Sequence, residues 1–464
     1  MASRGPIEAR SRARRRVRAV LVFVAFAALY WGAVAWLSRD LRLWAIASTD
    51  VAIAAGLVLT WAGGWWLAGA WRGEPRATAI RALATTIVGL VLLALVEVPA
   101  LFGRLDYSQL MSAALGEWRG PSTAFISDPD LVYHRPPHEL WSGQPRSDMA
   151  TVFNLPIRAP RPQVFTTDAR GFRNRRELAR ADVALVGDSY VEGAYVSDDE
   201  TSAVALEKLI GRRVANLGQS GYGTLQELKV VETVALSLRP RVLVWFFFEG
   251  NDLYDDEAYE NALAYYRAHG TLATRSAWRP DFTHFAAASF TGSAFRLFRR
   301  FADPVFPNEV ASVGFFPADA AAARPVYFYS DAALRWGDYE GERFGKTMAA
   351  FRRGRDLAAA QGTRLLLVFI PTKFRVYGDY CRFPSDSPCR SWRPWRLPED
   401  VAAFCRREDI AFLDLTESMR AAAAEGRLLY AAEDSHWNAE GHRFVASLLA
   451  DDWSAKEGAS AGPR

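Results

Sequence analysis

Four short polar blocks along the chain carry the residue types that nucleophilic catalysis requires. They are Gly187-Asp188-Ser189, the glycine-rich turn Gly218–Gly223, Gly250-Asn251-Asp252 and Asp434-Ser435-His436. A serine hydroxyl is a poor nucleophile at neutral pH, so it needs a base within hydrogen-bond reach and a third group that orients this base. A tetrahedral oxyanion needs hydrogen-bond donors placed in advance. The blocks contain a serine, a histidine, carboxylates, an amide and a turn that can expose backbone N–H groups.

The elements that must position these blocks are five predicted strands of one sheet. Short apolar runs bounded by turn residues predict buried parallel strands, and here they alternate with helical patterns. The sequence therefore predicts an α/β fold, a parallel sheet covered by helices on both faces. The polar blocks fall at carboxyl ends of strands, where open α/β sheets bind their ligands. The strands are predicted at Val183–Val186, Val214–Leu217, Val242–Phe248, Arg364–Ile370 and Ile410–Leu413.

Gly187-Asp188-Ser189 has two interpretations when it is considered alone. These residues after a strand also form an ordinary N-cap for the next helix. The histidine, the acid and the donors at the other strand ends favour the interpretation of Ser189 as a nucleophile.

The blocks, in this order and in register with the strands, resemble the SGNH (GDSL-type) hydrolase family over residues 163–450. The resemblance implies a three-layer α/β/α sandwich with a five-stranded, flavodoxin-like parallel sheet. It also implies ester chemistry on acyl groups without a metal or a cofactor. Carried over by motif, it implies Ser189 as nucleophile, His436 as base, Asp434 as the orienting acid, and the N–H groups of Ser189 and Gly221 with the Asn251 side chain as oxyanion donors.

The chain departs from the family pattern in two places. Tyr190 stands where the family has leucine, and we expect its side chain to pack. The family spaces its last acid and histidine as Asp-x-x-His, whereas here Asp434 lies two residues before His436 and Glu433 three before, so either carboxylate could orient the imidazole. We prefer Asp434, because Asp-x-His-Trp resembles the alginate O-acetyltransferase branch. That branch carries the block before its serine, so hydrolysis and acyl transfer both stay open.

Three apolar runs near the N-terminus are each long enough to cross a membrane as helices, with a buried soluble bundle as the alternative. Six arginines precede the first run and three follow the second, against two between them. The positive-inside rule then places the N-terminus in the cytoplasm and the chain after residue 103 outside. We therefore predict a multi-pass protein of the cytoplasmic (inner) membrane with an extracytoplasmic catalytic domain. The runs are Val17–Leu37, Val51–Trp71 and Ala82–Phe102.

The predicted organisation has four parts. A membrane anchor at 1–103 is followed by a linker with a leading strand at 104–180, an SGNH-like domain at 181–452 and a disordered tail at 453–464. An insertion at 253–340 is too long for a plain loop. Its phenylalanines and arginines fit a lid, a patch on the membrane surface, or a helical subdomain that packs its own aromatic face.

Charge and cysteine content narrow the class of protein. The net charge of +4 is small and its clearest cluster is the N-terminal arginines, which argues against binding of nucleic acid. Three cysteines are too few for a disulfide scaffold. Cys381 and Cys389 share one loop and either form a bridge outside the cytoplasm or remain two thiols.

Several single residues keep two interpretations. Glu97, in the third apolar run, is either functional or snorkels to the interface. Lys373 either binds an anionic substrate or lies on the surface, and Trp437 either lines an acyl pocket or packs under the last helix. His442 is expected to pack, and the other histidines show no metal-ligand spacing.

Three functions are consistent with these observations. The first is a membrane-anchored serine esterase that cleaves an acyl ester, with acetyl as the expected acyl group. The second is an O-acyltransferase that modifies an exported polysaccharide, which would need a separate membrane acyl-donor protein. The third is a non-catalytic carbohydrate-binding module of the same fold. The full set of candidate catalytic residues argues against the third.

Overall fold

The computed structural model describes residues 6–40, 45–72, 74–101, 105, 107, 110–111, 126–143, 147–149, 163–269, 289–302, 312–318, 322–329 and 338–457. The chain divides into two compact units, each described by itself below. The N-terminal unit contains residues 1–111 and 279–311, and the C-terminal unit contains 112–278 and 312–464.

The α-helices and strands are numbered here in chain order. The helices are α1 (Pro6–Asp40), α2 (Ala45–Arg72), α3 (Pro75–Leu101), α4 (Ser189–Glu192), α5 (Ser202–Ile210), α6 (Thr224–Val230), α7 (Asp252–His269), α8 (Phe290–Ala302), α9 (Asp338–Ala360), α10 (Lys373–Tyr377), α11 (Leu397–Arg407), α12 (Thr416–Ala424) and α13 (Ala439–Glu457). The strands are β1 (Ile126–Asp128), β2 (Val132–His134), β3 (Leu140–Gly143), β4 (Gln163–Thr166), β5 (Val183–Gly187), β6 (Val214–Gly218), β7 (Val242–Phe248), β8 (Val313–Phe316), β9 (Arg324–Tyr327), β10 (Arg364–Ile370) and β11 (Ala411–Asp414).

The N-terminal unit is built from long apolar helices. α1 and α2 pack closely, since Trp31 Nε1 donates to Thr60 Oγ1 at 3.2 Å. By length and composition, Arg16–Ala33 in α1 and Pro75–Leu101 in α3 could each cross a membrane. The second predicted span coincides with α2, whose first side chains lie outside the described residues. Within the described part of the chain, two helices rather than the predicted three meet this criterion.

Glu97 of α3 caps helix α8 within the same unit. Its carboxylate accepts hydrogen bonds from the N–H groups of Phe290 at 2.9 Å and Thr291 at 2.7 Å. The first N–H groups of a helix have no partner inside the helix, so an acceptor at this position stabilises the helix start. Glu97 therefore has a structural role that neither sequence-based interpretation included.

The C-terminal unit is organised around one five-stranded parallel sheet. Its strand order is β11-β10-β7-β5-β6, and every neighbouring pair is parallel. Numbered by chain position among these five, the order is 2-1-3-4-5, the flavodoxin-like arrangement. The predicted fold class is confirmed for this sheet.

Side chains on the two faces of the sheet pack into two separate apolar clusters. Val183 and Leu185 of β5 belong to one cluster, which includes residues of α5 and α13. Ala184 and Val186 belong to the other, which includes residues of α6, α9 and α11. All five residues of β5 are buried, and burial of each large apolar side chain contributes about 1.5–3 kcal/mol. The sheet is therefore the middle layer of three.

The insertion at 253–340 is divided between the two units. α7 and the β8–β9 hairpin belong to the C-terminal unit, whereas α8 belongs to the N-terminal unit. Much of the rest, including Phe285, lies outside the described residues. The lid and the membrane-surface patch stay predictions.

One further expectation differs from the structure, and the structure decides between the two alternatives for the cysteines. α13 runs to Glu457, so the first part of the tail predicted to be disordered is helical, and residues 458–464 lie outside the described residues. Cys381, Cys389 and Cys405 are buried free thiols, so the Cys381–Cys389 bridge is not formed. Burial raises the pKa of Cys381 to about 12, which keeps this group a thiol at neutral pH.

Candidate active site

Ser189 follows β5 at the carboxyl edge of the sheet. Asp188 is the N-cap of α4, and its Oδ1 accepts the N–H of Tyr190 at 2.9 Å. Ser189 is the first residue of α4, so its own N–H has no partner within that helix. The N-cap is therefore Asp188, and the cap does not use the Ser189 hydroxyl.

Ser189, His436 and Asp434 form a continuous hydrogen-bonded row. His436 Nε2 lies 2.7 Å from Ser189 Oγ, and His436 Nδ1 lies 2.6 Å from Asp434 Oδ1. The backbone N–H of His436 donates to the same Asp434 oxygen at 2.9 Å. A carboxylate beside Nδ1 favours a proton on that nitrogen, which leaves Nε2 to accept from the serine hydroxyl. This arrangement can remove the serine proton.

Glu433, the alternative orienting acid, points away from the imidazole of His436. Its Oε1 accepts a hydrogen bond from the Tyr195 hydroxyl at 2.7 Å. Asp434 therefore contacts the imidazole in this structure, and the Asp-x-x-His spacing is not used.

The charges around His436 favour its protonated form. Burial by itself lowers the pKa of His436, but the charge and hydrogen bond of Asp434, with the charges of Asp148 and Asp188, outweigh burial and raise the pKa to about 9. In return, the imidazolium and its hydrogen bonds outweigh burial at Asp434 and lower the pKa of that carboxyl. The pair is thus arranged to hold a proton that arrives at Nε2.

Two of the predicted oxyanion donors are backbone N–H groups. The N–H groups of Ser189 and Gly221 make no hydrogen bond to any described residue. Gly221 has φ of +80°, and a Cβ there would lie 2.8 Å from the Tyr133 hydroxyl oxygen. Only glycine adopts this conformation readily, so the turn after β6 requires it.

Asn251, the third predicted donor, follows β7 and is held by a neighbouring acid. Its Nδ2 donates to Asp255 Oδ2 at 2.6 Å, while its buried Oδ1 has no partner among the described residues. Burial, with the charges of Asp188 and Asp256, raises the pKa of Asp255 to about 7. An amide has two N–H bonds, so Asn251 retains one for another acceptor.

The loop Ala431–His436, named here the acid loop, carries both Asp434 and His436. The Tyr190 hydroxyl donates to the Ser435 carbonyl at 2.7 Å, and the Ser147 hydroxyl donates to the Glu433 carbonyl. Tyr190 is fully buried, so its side chain packs as expected and its hydroxyl also joins the nucleophile block to the acid loop.

Lys373, at the start of α10, contacts the acid loop from within the protein. Its Nζ donates to the carbonyls of Ala431 at 2.8 Å, Ala432 at 3.1 Å and Asp434 at 2.6 Å. Lys373 is only 4% exposed, and burial lowers its pKa. The surface interpretation is wrong, and the three donor bonds are directed at the loop rather than at a substrate anion.

Asp148 reaches the same loop from the segment between β3 and β4. Its N–H donates to Asp434 Oδ2 at 2.8 Å, and its Oδ1 accepts the N–H of Ser435 at 2.9 Å. Sequence reasoning missed Asp148, since it lies in a proline- and arginine-rich stretch without a motif.

Trp437 and His442 pack in the interior. Trp437 is fully buried, with its ring centroid 4.9 Å from that of Tyr190 and 5.5 Å from that of His442. His442 Nδ1 accepts the N–H of Ser202 at 3.2 Å, and burial lowers the His442 pKa to about 3. Trp437 therefore packs against His442 of the last helix, as one of its two interpretations expected, and His442 is neutral at physiological pH.

The site also contains side chains of the types that bind metal ions. Ligand-type atoms of Asp148, Asp434 and His436 lie within 4.8 Å of one another, the one such group of three among the described residues. Both ring nitrogens of His436 are, however, within hydrogen-bond distance of Ser189 and Asp434. The hydrogen bonds account for the cluster, and we assign it no metal or cofactor.

Part of the chain matches a known protein family. Residues 324–464 match a family model described as an SGNH hydrolase-like domain of the acetyltransferase AlgX. The matched segment includes Asp434 and His436, whereas Ser189 precedes it. No curated protein matches the chain in sequence.

Solved structures similar to this chain are distant in sequence. A lipase/acylhydrolase from Enterococcus faecalis shares 13% identity, with 59% of this chain and 95% of that chain covered at a TM-score of 0.30. A variant of an acetyl-xylooligosaccharide esterase from Geobacillus stearmophilus shares 11% identity, with 60% and 96% covered and a TM-score of 0.31. A GDSL-like lipase from Bacteroides thetaiotaomicron shares 14% identity, with 59% and 87% covered and a TM-score of 0.29.

Proposed function

We propose that this chain, whose SGNH hydrolase-like domain belongs to the class of ester-acting hydrolases and related O-acyltransferases, is a membrane-anchored serine esterase. The catalytic triad would be Ser189, His436 and Asp434. The observation that carries the proposal is the row of contacts from Ser189 Oγ through both nitrogens of His436 to Asp434, at 2.7 and 2.6 Å.

The proposed reaction begins with acylation of Ser189. Ser189 Oγ attacks the ester carbonyl carbon while its proton moves to His436 Nε2, and Asp434 stabilises the imidazolium. The tetrahedral intermediate then collapses, and the departing alkoxide takes the proton from His436. Water attacks the acyl-enzyme with His436 again as base, which releases the free acid and restores the serine.

The oxyanion would be held by the N–H groups of Ser189 and Gly221 and by Asn251 Nδ2. Both backbone groups lack partners among the described residues, which supports this role. Loss of one such donor typically costs about 10²–10³ in kcat. Asn251→Ala should therefore lower kcat by this order while the serine and histidine remain in contact.

The direct test uses the full chain in detergent micelles with p-nitrophenyl acetate. We expect Ser189→Ala and His436→Ala each to lose most of the turnover, by about 10³-fold or more. Ser391→Ala is the matched control, because Ser391 lies on the surface and donates only to the Pro388 carbonyl. Turnover at the wild-type rate in either active-site variant would refute the proposal.

The proposed location is the extracytoplasmic side of the cytoplasmic membrane. The excess of N-terminal arginines supports a cytoplasmic N-terminus, and α1 and α3 are each long and apolar enough to span. An odd number of crossings then places the C-terminal unit outside, so this location requires α2 (Ala45–Arg72) to be the third span. A reporter enzyme that is active only outside the cytoplasm, fused after residue 457, should be active. An inactive fusion at this position, with full-length fusion protein present in the membrane, would contradict the proposed orientation.

Acyl transfer to a sugar hydroxyl is the second candidate function. The match of residues 324–464 to an acetyltransferase-associated family favours it. In this reaction an exported polysaccharide takes the place of water, and a separate membrane protein would supply the acyl donor. Ester formation on an oligosaccharide that competes with hydrolysis would support transfer, and free acid as sole product across a broad acceptor panel would refute it.

A further inference from the structure

We propose that Asp148 is a second carboxylate of the catalytic group, a positioning residue that holds Asp434 and His436 through contacts and charge. This proposal deepens the proposed function and rests on His436 being the base. No motif and no family match covers Asp148, because the matched segment begins at residue 324.

Asp148 contacts both the carboxylate of Asp434 and the residue that follows it, Ser435. Its backbone N–H donates to Asp434 Oδ2 at 2.8 Å, on the oxygen that His436 does not use. Its carboxylate accepts the N–H of Ser435 at 2.9 Å and also the Ser435 hydroxyl. Asp148 therefore fixes the carboxylate of Asp434 and the backbone that leads directly into His436.

A carboxylate is the group that these contacts require. The Asp148 oxygens accept three hydrogen bonds, from the N–H and hydroxyl of Ser435 and from the N–H of Met149 at 2.5 Å. Burial and the charge of Asp434 raise the Asp148 pKa, while the charge of His436 opposes that rise. The negative charge of Asp148 is thus partly compensated by the imidazolium.

The charged groups that face His436 come from several elements. Asp434 and Asp148 approach from the acid loop and from the segment before β4, and Asp188 approaches from the end of β5. Lys373 of α10 adds a positive charge near Asp148 and Asp434, and the neutral His442 of α13 lies beyond Trp437. Glu433 is turned to the Tyr195 hydroxyl. Asp148 is the one carboxylate of this set that contacts the acid loop from outside any catalytic motif.

Removal of this charge should change the pH range in which the base works. Burial opposes protonation of His436, and the charges of Asp434, Asp148 and Asp188 outweigh it, with the pKa at about 9. A neutral asparagine in place of Asp148 would leave only two of these charges. Because unit charges this close interact strongly even near a surface, the midpoint for loss of the His436 proton should fall by roughly one to two pH units.

The experiment measures the rate at which a fluorophosphonate probe labels Ser189 as a function of pH, in full-length protein in micelles. Ser189 Oγ attacks phosphorus, fluoride leaves, and the serine proton passes to His436, so the rate follows neutral imidazole without any natural substrate. We expect Asp148→Asn to move the midpoint down by roughly one to two pH units. Asp379→Asn, an exposed carboxylate paired with Arg420, should leave it unchanged.

A second variant separates charge from hydrogen bonding. Ser435→Ala removes a hydroxyl that Asp148 accepts but changes no charge, so it should lower the rate and keep the midpoint. An unchanged midpoint in folded Asp148→Asn would overturn the inference while leaving Ser189 as the nucleophile. Wild-type protein that never labels at Ser189 would instead overturn the proposed function. If Asp148→Asn labels too slowly, the nitrogen-15 shifts of His436 during a pH titration give the same midpoint, and an unchanged value there overturns the inference equally.

Discussion

Removal of the Tyr190 hydroxyl would test how the acid loop is held in place. Tyr190 immediately follows Ser189, the proposed nucleophile, and its hydroxyl donates to the Ser435 carbonyl at 2.7 Å. Tyr190→Phe removes this one oxygen and keeps the ring, which is 1% exposed and lies 4.6 Å from the ring of Phe248 and 5.1 Å from that of His436. The substitution therefore tests the hydrogen bond and not the packing.

The expected magnitude follows from burial. The bond is part-buried, and a buried polar group that loses its partner costs about 1–3 kcal/mol, so the free energy of unfolding should fall by an amount at the lower end of this range. The Ser435 carbonyl precedes His436 directly, so relaxation of the loop also moves the imidazole. A barrier increase of about 1.4 kcal/mol, at the lower end of this range, corresponds to about a tenfold loss of kcat/KM.

Two assays on the same variant separate stability from activity. Chemical denaturation gives the free energy of unfolding, and hydrolysis of p-nitrophenyl acetate gives kcat/KM. Tyr259→Phe is the matched control, because Tyr259 is also buried and its hydroxyl donates to the Asp130 carbonyl at 2.8 Å, away from the acid loop. It should lose similar stability and keep full activity. Equal kcat/KM in wild type and Tyr190→Phe would show that the hydroxyl does not position the base.

Three further predictions concern pH and the choice of acid. With the His436 pKa raised to about 9, kcat/KM should rise about tenfold per pH unit below 9 and then level; a plateau already at pH 7 would contradict this charge arrangement. Burial lowers the His442 pKa to about 3, below its unfolded value near 6.5, so stability is present above 6.5 and is lost as pH falls, by about 2 kcal/mol between pH 7 and 5. Denaturation of His442→Gln should show a correspondingly flatter dependence on pH, and an equally steep one would refute the assignment. Asp434→Asn should lose most activity on p-nitrophenyl acetate and Glu433→Gln should keep most of it; the reverse order would mean that Glu433 orients the imidazole.

The strands and the blocks after them could be predicted because their signals are local. An apolar run such as Val183–Val186 followed by Gly187-Asp188-Ser189 specifies a buried strand and the turn that ends it, whatever the rest of the chain does. The strand order came from the resemblance to the SGNH family, which implies a flavodoxin-like sheet, because right-handed crossovers alone are compatible with other orders. The same reasoning brought Ser189 and His436 to one edge of the sheet.

The support around the site could not be predicted because it depends on contacts between distant parts of the chain. Lys373 and the Ala431 carbonyl are 58 residues apart, and Asp148 and Asp434 are 286 apart. A lysine after a strand looks the same in sequence whether its ammonium group faces water or three buried carbonyls. The choice between Glu433 and Asp434 likewise depends on a distant residue. The Tyr195 hydroxyl donates to the Glu433 carboxylate, which turns Glu433 away from the imidazole.

The separation along the chain between the proposed nucleophile and its proposed base determines when the two can meet during synthesis. Ser189 and His436 are 247 residues apart, and the base follows the nucleophile in the order of synthesis. At ordinary rates of synthesis of about 5–20 residues per second, roughly 10–50 s pass between the addition of the serine and of the histidine. During this interval the serine has no partner to take its proton. Under the proposed function, we therefore expect a nascent chain to be unreactive toward esters until the acid loop has been made and docked.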